Sequence, residues 1–212
     1  MPMFPAGLLR GGLARLLLSA LFCFGPVAAE AQSPAPPRWI PGKLDNGVPT
    51  LEYAATVPLL GKPIRINLVF RCDPTSKGDV HGTLGFDLFL HGVAALKPFS
   101  FDDFEGPDAV AGAKGRKPME LIVKRKDKAP LALKVVPSGF APHITNYAFG
   151  VAALSAEPRS EARTLLRALE AADAESLQII VTDTRQPGLK LELTVPVAGR
   201  QAEFKALLAG LK

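Results

Sequence analysis

Two runs of alternating residues constrain the fold of this chain more than any other stretch. Ile64, Ile66, Leu68 and Phe70 alternate with Arg65, Asn67 and Arg71, the period of a strand with one face buried and the other exposed. Cys72 continues the apolar series and is expected to point inward. After Asp73-Pro74 and a polar Lys77-Gly78-Asp79 connection, Val80, Leu84, Phe86, Leu88 and Leu90 share one parity. His81, Thr83, Asp87 and His91 share the other. Both runs follow the two-residue period of a strand. The runs therefore read as an antiparallel pair joined by a loop longer than a tight turn. Gly82 and Gly85 predict a bulge or a close backbone approach in the second strand.

The rest of the chain repeats this logic. Asp45-Asn46-Gly47 and Gly61-Lys62-Pro63 are turns that bound a first strand over Thr50–Val57. Lys97–Lys117 reads as a long surface loop, with Phe99, Phe101 and Phe104 packing its first half onto the body. Met119–Lys124 and Leu131–Val136 form a hairpin across Arg125-Lys126-Asp127-Lys128. Pro137 and Pro142 bracket a turn containing Gly139, and a strand follows over Ile144–Leu154. Pro158 and Ser160 are helix-start signals, and Ala162, Leu165, Leu166 and Leu169 then lie on one helical face. Leu177, Ile179 and Val181 make a strand. Beyond the Arg185–Gly188 turn, Leu189, Leu191, Leu193, Val195 and Val197 alternate cleanly. Phe204, Leu207, Leu208 and Leu211 close the chain as an amphipathic helix.

Strands outnumber helices and hairpin links dominate. The expected fold is mainly β (α+β), an antiparallel two-layer, β-sandwich-like body. Two short helices in the C-terminal third should cover an edge or one face.

Residues 1–31 read as a signal peptide. Arg10 and Arg15 precede the apolar Leu16–Phe24, Gly25-Pro26 breaks it, and Ala29-Glu30-Ala31 supplies a cleavage site. Phe22 stands where lipidation of Cys23 would require a small residue. Residues 32–43 form a Pro-rich extended lead-in, whose Trp39 is expected to pin the N-terminus onto a single β-rich domain over 44–212. No later segment is long and apolar enough to span a membrane as a helix. After cleavage only Cys72 remains, so no internal disulfide can form and the core must hold the fold unaided. The expected location is periplasmic or secreted, in a bacterium.

Each chemistry-bearing residue has a competing structural role. Cys72 as a nucleophile would need a nearby base and an environment that favours the thiolate. Its parity instead makes it a small core hydrophobe, with an intermolecular disulfide as a further alternative. His81 and His91 lie ten residues apart, about 33 Å along an extended strand, so they cannot share a metal. No Cys-x-x-Cys or His-Glu-x-x-His occurs to join them or His143. Asp102, Asp103, Glu105 and Asp108 bring oxygen ligands close together, but Gly106-Pro107 interrupts any calcium-loop spacing. No metal, cofactor or catalytic group is assigned.

Positive charge is concentrated at Lys114, Arg116, Lys117, Lys124, Arg125, Lys126, Lys128 and Lys134, interrupted between residues 114 and 134 only by Glu120 and Asp127. These positions either bind an anionic partner or keep a hairpin edge soluble and unpaired. Nucleic acid is disfavoured, since the chain is read as exported and the cluster lacks interleaved aromatics.

The order helix, strand, turn, strand ending Val195-Pro196-Val197, then a short helix with Phe204 and Leu207-Leu208, resembles the tail of a family. These are the small exported proteobacterial β-rich proteins of the invasion-associated locus B type. The likeness covers about the last fifty residues, and this chain lacks the several cysteines of that family. It implies a β-rich fold and an exported location, and carries over no functional residue.

The leading expectation is a non-catalytic binding or envelope-accessory protein. Lys114, Arg116, Lys117, Lys124, Arg125, Lys126 and Lys128 are its candidate contact surface, joined by the loop around Phe99–Phe104. Its expected partner is an anionic envelope component or an acidic protein surface. The alternatives are a carrier of lipid or small apolar ligands, and a hydrolase or redox enzyme using Cys72.

Overall fold

The computed structural model describes residues 36–73, 82–106, 110–154, 157 and 159–209. The signal peptide read over 1–31, His81 and Asp108 lie outside the described residues, as does the side chain of Lys114.

Strands β1 (Arg38–Lys43), β2 (Pro49–Leu59), β3 (Lys62–Cys72) and β4 (Thr83–His91) form an antiparallel meander. β8 (Asn146–Leu154) pairs with β4, and β7 (Ser138–His143) closes the other edge, giving the order β1-β2-β3-β4-β8-β7. The second sheet has the order β10-β9-β5-β6, from β5 (Met119–Arg125), β6 (Lys128–Val135), β9 (Ala174–Thr182) and β10 (Lys190–Pro196). Every strand pair in both sheets is antiparallel. The fold is therefore the mainly β, two-sheet architecture expected, with two helices late in the chain. The sheet begins at Arg38, within the segment read as a lead-in.

Register explains why the alternating runs face inward together. Leu68 stands opposite Tyr53 on one side and Leu88 on the other, Phe70 opposite Leu51 and Phe86, and Cys72 opposite Leu84. Since parity is preserved across a ladder, one face of the six-stranded sheet is continuously apolar. Leu121, Ile179, Leu193 and Leu133 continue the same pattern across the second sheet. Helix α1 (Glu161–Glu170) turns Ala162, Leu165, Leu166, Ala168 and Leu169 inward and touches strands of both sheets. Helix α2 (Gln201–Leu208) buries Phe204, Leu207 and Leu208 against β2, β3 and α1. The inner sheet faces are thus packed on helices. Ser160 starts α1, its Oγ accepting the Arg163 amide at 3.3 Å.

Trp39 pins β1 as expected. Its indole Nε1 donates to the Pro196 carbonyl at 3.0 Å, and its ring lies 5.1 Å from Tyr53 and 5.7 Å from Phe204. Gly85 bears out the close approach read from the sequence: a Cβ there would sit 1.9 Å from the Val151 carbonyl oxygen.

Two local expectations need correction. The segment between Pro137 and Pro142 is not a turn but strand β7, which pairs with β8. Pro137 precedes the strand, and Pro142 falls where the register of this edge strand shifts, with few ladder donors to lose. Gly139 is there for space, since a Cβ would lie 2.0 Å from the Tyr147 hydroxyl and 2.7 Å from the Phe104 carbonyl oxygen. The loop over 97–117 also holds two short 3-10 turns, Phe101–Phe104 and Val110–Gly115. Phe99 and Phe104 are buried, and Phe104 meets Phe149 edge-on at 5.2 Å. This loop packs onto the body, as its phenylalanines required.

Candidate functional site

The basic residues separate into two groups. Arg116 and Lys117 precede β5, while Lys124, Arg125, Lys126 and Lys128 surround its far end and the hairpin turn. Lys117 and Lys124 are seven positions apart, roughly 23 Å at the rise of an extended chain. Arg116 and Lys117 border a separate cleft of about 370 Å³ with Thr182, Asp183, Thr184 and Pro187. Lys117 Nζ is 3.1 Å from Glu161 Oε1 at the start of α1. The Glu161 carboxyl lies below its ordinary range, held there by its own backbone amide and then by Lys117.

Arg125 differs from its neighbours. As the last residue of β5 it shares the inward parity of Leu121 and Val123, and register with both neighbouring strands shifts at this point. Lys124 and Lys126 on either side are exposed. The half-buried Arg125 meets Arg163, Thr164, Arg167 and Ala168 of α1, and Leu131 of β6, around an open cleft of about 570 Å³. Arg163 and Arg167 are one helical turn apart, so their guanidinium groups leave α1 on one side. The turn is anchored here as well, since the Lys126 amide donates to the Asp173 carbonyl at 2.8 Å.

Two carboxylates near the cleft are engaged by cations around it. Arg167 Nη1 lies 3.2 Å from Glu170 Oε2, and Lys128 Nζ lies 2.7 Å from Asp173 Oδ2. The Asp173 carboxyl is held below its ordinary range by Lys128 first, with Arg125 adding a weaker attraction. Arg125 Nε is buried and has no hydrogen-bond partner among the described residues. Thr164 Oγ1 donates to the Ser160 carbonyl at 3.0 Å, so its proton is committed. Three arginines, Arg125, Arg163 and Arg167, line the cleft. Planar guanidinium forks in a partly apolar recess form an anion-binding arrangement.

The other residues singled out from the sequence are placed elsewhere. Cys72 is fully buried, and burial pushes its thiol up to about 11, against a weaker opposing pull from Arg163. This environment favours the neutral thiol over the nucleophilic thiolate. His91 Nε2 lies 2.9 Å from Asn67 Oδ1, and Asn67 in turn donates to Glu52. His143 is exposed, 3.1 Å from Thr145 Oγ1. No group of three or more His, Cys, Asp or Glu suited to a metal occurs among the described residues. No helix among them is long and apolar enough to cross a membrane.

Asp103, considered for calcium, is buried and engaged by Arg185. Arg185 Nη2 lies 2.5 Å and Nε 3.0 Å from its carboxylate, and Thr184 also donates to it. The Arg185 bonds hold the Asp103 carboxyl below its ordinary range, against the cost of burial. Burial works against the charge of Asp183 too, but amide donors from Ser100, Gln186 and Arg185 outweigh it and keep its carboxyl low. Together these bonds tie the Phe-containing loop to the β9–β10 turn. A third cleft, about 610 Å³, lies beside that loop, with Pro98, Phe101, Ile144 and Tyr147 among its walls.

Arg163 and Arg167 were not singled out from sequence. Their spacing was visible on the polar flank of a predicted helix, but such pairs are ordinary on solvated helices. What sets them apart is the crossing of α1 over the end of β5. Comparisons of the chain with protein-family models, curated proteins and solved structures find no match.

Proposed function

We propose that this is an exported, non-catalytic binding protein of the bacterial envelope. Its contact surface is the tip of the β5–β6 hairpin together with the adjoining side of α1. The observation that carries the reading is the convergence of Arg125, Arg163 and Arg167 on one cleft, with the exposed Lys124, Lys126 and Lys128 nearby. Exposed lysines supply a salt-sensitive attraction to anionic surfaces, and the arginines supply directional donors. The buried, protonated Cys72 supports a binding role over thiol chemistry. Export is supported by the signal-peptide pattern at 1–31 and by the resemblance of the C-terminal segment to exported β-rich proteins.

The test is co-sedimentation with vesicles containing phosphatidylglycerol, compared with purely zwitterionic vesicles, across a salt series. Binding to the anionic vesicles should be selective and should fall as salt rises. The triple variant Lys124→Glu, Lys126→Glu, Lys128→Glu should lose most of it. Equal binding by the variant and the parent protein would refute the assignment of this surface. Fractionation of cells expressing the full chain tests export, which predicts a shortened product outside the cytoplasm.

A further inference from the structure

We infer that the cleft between α1 and the β5–β6 hairpin is a specific site for a phosphomonoester group, a deeper claim that rests on the anionic-partner reading above. Arg125 enters from the end of β5, and Arg163 and Arg167 enter from successive turns of α1. A phosphomonoester offers three terminal acceptor oxygens and close to two negative charges at neutral pH. Guanidinium forks arriving from a strand and from a helix can engage different edges of that tetrahedron. A carboxylate offers two oxygens in one plane and a single charge, which one fork satisfies. A phosphodiester has two non-bridging oxygens and a single charge. The monoester therefore makes the fullest use of the site.

Three further observations support this choice. Arg125 Nε is buried with no hydrogen-bond partner among the described residues, a costly arrangement for a donor that no acceptor reaches. The carboxylates of Glu170 and Asp173 do not line the cleft, although Glu170 meets Arg167 Nη1 at 3.2 Å from outside it. The Thr164 proton is committed to Ser160, so the site's donors suit a charged group better than a neutral hydroxyl. Leu131 and Ala168 provide apolar walls, and at about 570 Å³ the cleft has room for the substituent on the phosphate. That substituent is a soluble organic group or the backbone of a lipid.

The experiment is isothermal titration of the intact protein with inorganic phosphate, glycerol 3-phosphate, acetate and dimethyl phosphate. It is paired with vesicles carrying phosphatidic acid or phosphatidylglycerol at matched surface charge. The two monoanionic probes should bind at least about tenfold more weakly than glycerol 3-phosphate, given the lost charge and acceptor oxygen. Arg167→Gln and Arg125→Gln should each lower glycerol 3-phosphate affinity by about tenfold or more. Arg125→Lys should recover little of the loss, because it restores charge but not the fork. Thermal unfolding of each variant separates loss of binding from loss of fold, and the exposed Arg167 provides the variant least coupled to folding.

Preference for phosphatidic acid over phosphatidylglycerol supports a lipid source, and tight binding of glycerol 3-phosphate without that preference supports a soluble one. Both outcomes uphold the site. No heat or saturation with any phosphate up to about 10 mM, weaker than any specific site requires, would overturn it. So would unchanged affinity in folded Arg167→Gln. The lysine triple variant distinguishes the two readings. Lost vesicle binding with no phosphate site in the parent protein removes this inference alone. An intact phosphate site without anionic-vesicle selectivity removes the envelope reading alone.

Discussion

Gly139→Ala should be one of the most damaging single-methyl additions in this protein. Gly139 lies in β7 where the Phe101–Phe104 turn crosses it, and Glu105 forms a parallel bridge to it. The added Cβ would meet the Tyr147 hydroxyl at 2.0 Å, the Phe104 carbonyl at 2.7 Å and the Phe104 Cβ at 2.8 Å. Two of these atoms are backbone or next to it and cannot rotate away. Overpacking of a tight site costs about 1–3 kcal/mol. The Tyr147 hydroxyl donates to the Phe101 carbonyl at 2.9 Å, and displacing it leaves buried polar groups unpaired at a further cost of about 1–3 kcal/mol. A net loss of about 3 kcal/mol corresponds to a Tm lower by about 6–12 °C for a domain of this size. Differential scanning calorimetry reads this directly. Gly188→Ala is the control, because no atom lies within 4 Å of its Cβ position, and it should change stability by less than about 0.5 kcal/mol. Tyr147→Phe removes the nearest clashing atom, so it should cost about 1 kcal/mol in the parent protein and markedly less in the Gly139→Ala background. A Tm drop under about 2 °C, or an equal Tyr147→Phe effect in both backgrounds, would refute the packing described for this junction.

Three other outcomes are expected. Phe204→Ala, which removes a fully buried ring that meets Phe70 edge-on at 5.1 Å, should cost about 3–5 kcal/mol in urea unfolding, and Trp39, the single tryptophan, reports the transition by fluorescence. Asp103 and Asp183 have depressed carboxyl pKa values, so their stabilisation is present above the unfolded value of about 4 and is lost as pH falls through their folded values; the urea midpoint should drop steeply below about pH 4, less so in Asp103→Asn. The Cys72 thiol, raised to about 11, contributes stability that is complete below the unfolded value of about 8.5 and is lost as pH rises toward the folded value; a disulfide reagent at pH 8 should label it at the rate of unfolding, and rapid labelling of native protein would contradict its burial.

Most of the strands could be read from sequence because parity needs no tertiary information. Ile64–Cys72 and Leu189–Val197 alternate whatever they pack against, and Ser160 marks a helix start through a local bond. β7 was missed for a physical reason of the same kind. Pro137, Gly139 and Pro142 signal a turn locally, and only the unpaired outer side of β7 and the close packing of Tyr147 and Phe104 allow a strand there. The candidate site was half legible. Arg125 belonged to an evident run of charge, but its inward parity and the register shift beside it separate it from Lys124 and Lys126.

The sequence by itself determined that this chain builds antiparallel β-structure with two late helices, that Cys72 faces inward, and that positive charge gathers around one hairpin. Those properties follow from period, parity and composition, which act between near neighbours. Tertiary structure alone decided that the charge divides at β5, that Lys117 meets Glu161 at one end, and that Arg125 joins Arg163 and Arg167 at the other. These residues are separated by some forty positions in the chain. They meet because burying the apolar face of α1 against both sheets leaves its arginine-bearing flank beside the end of β5, and no local pattern encodes that crossing.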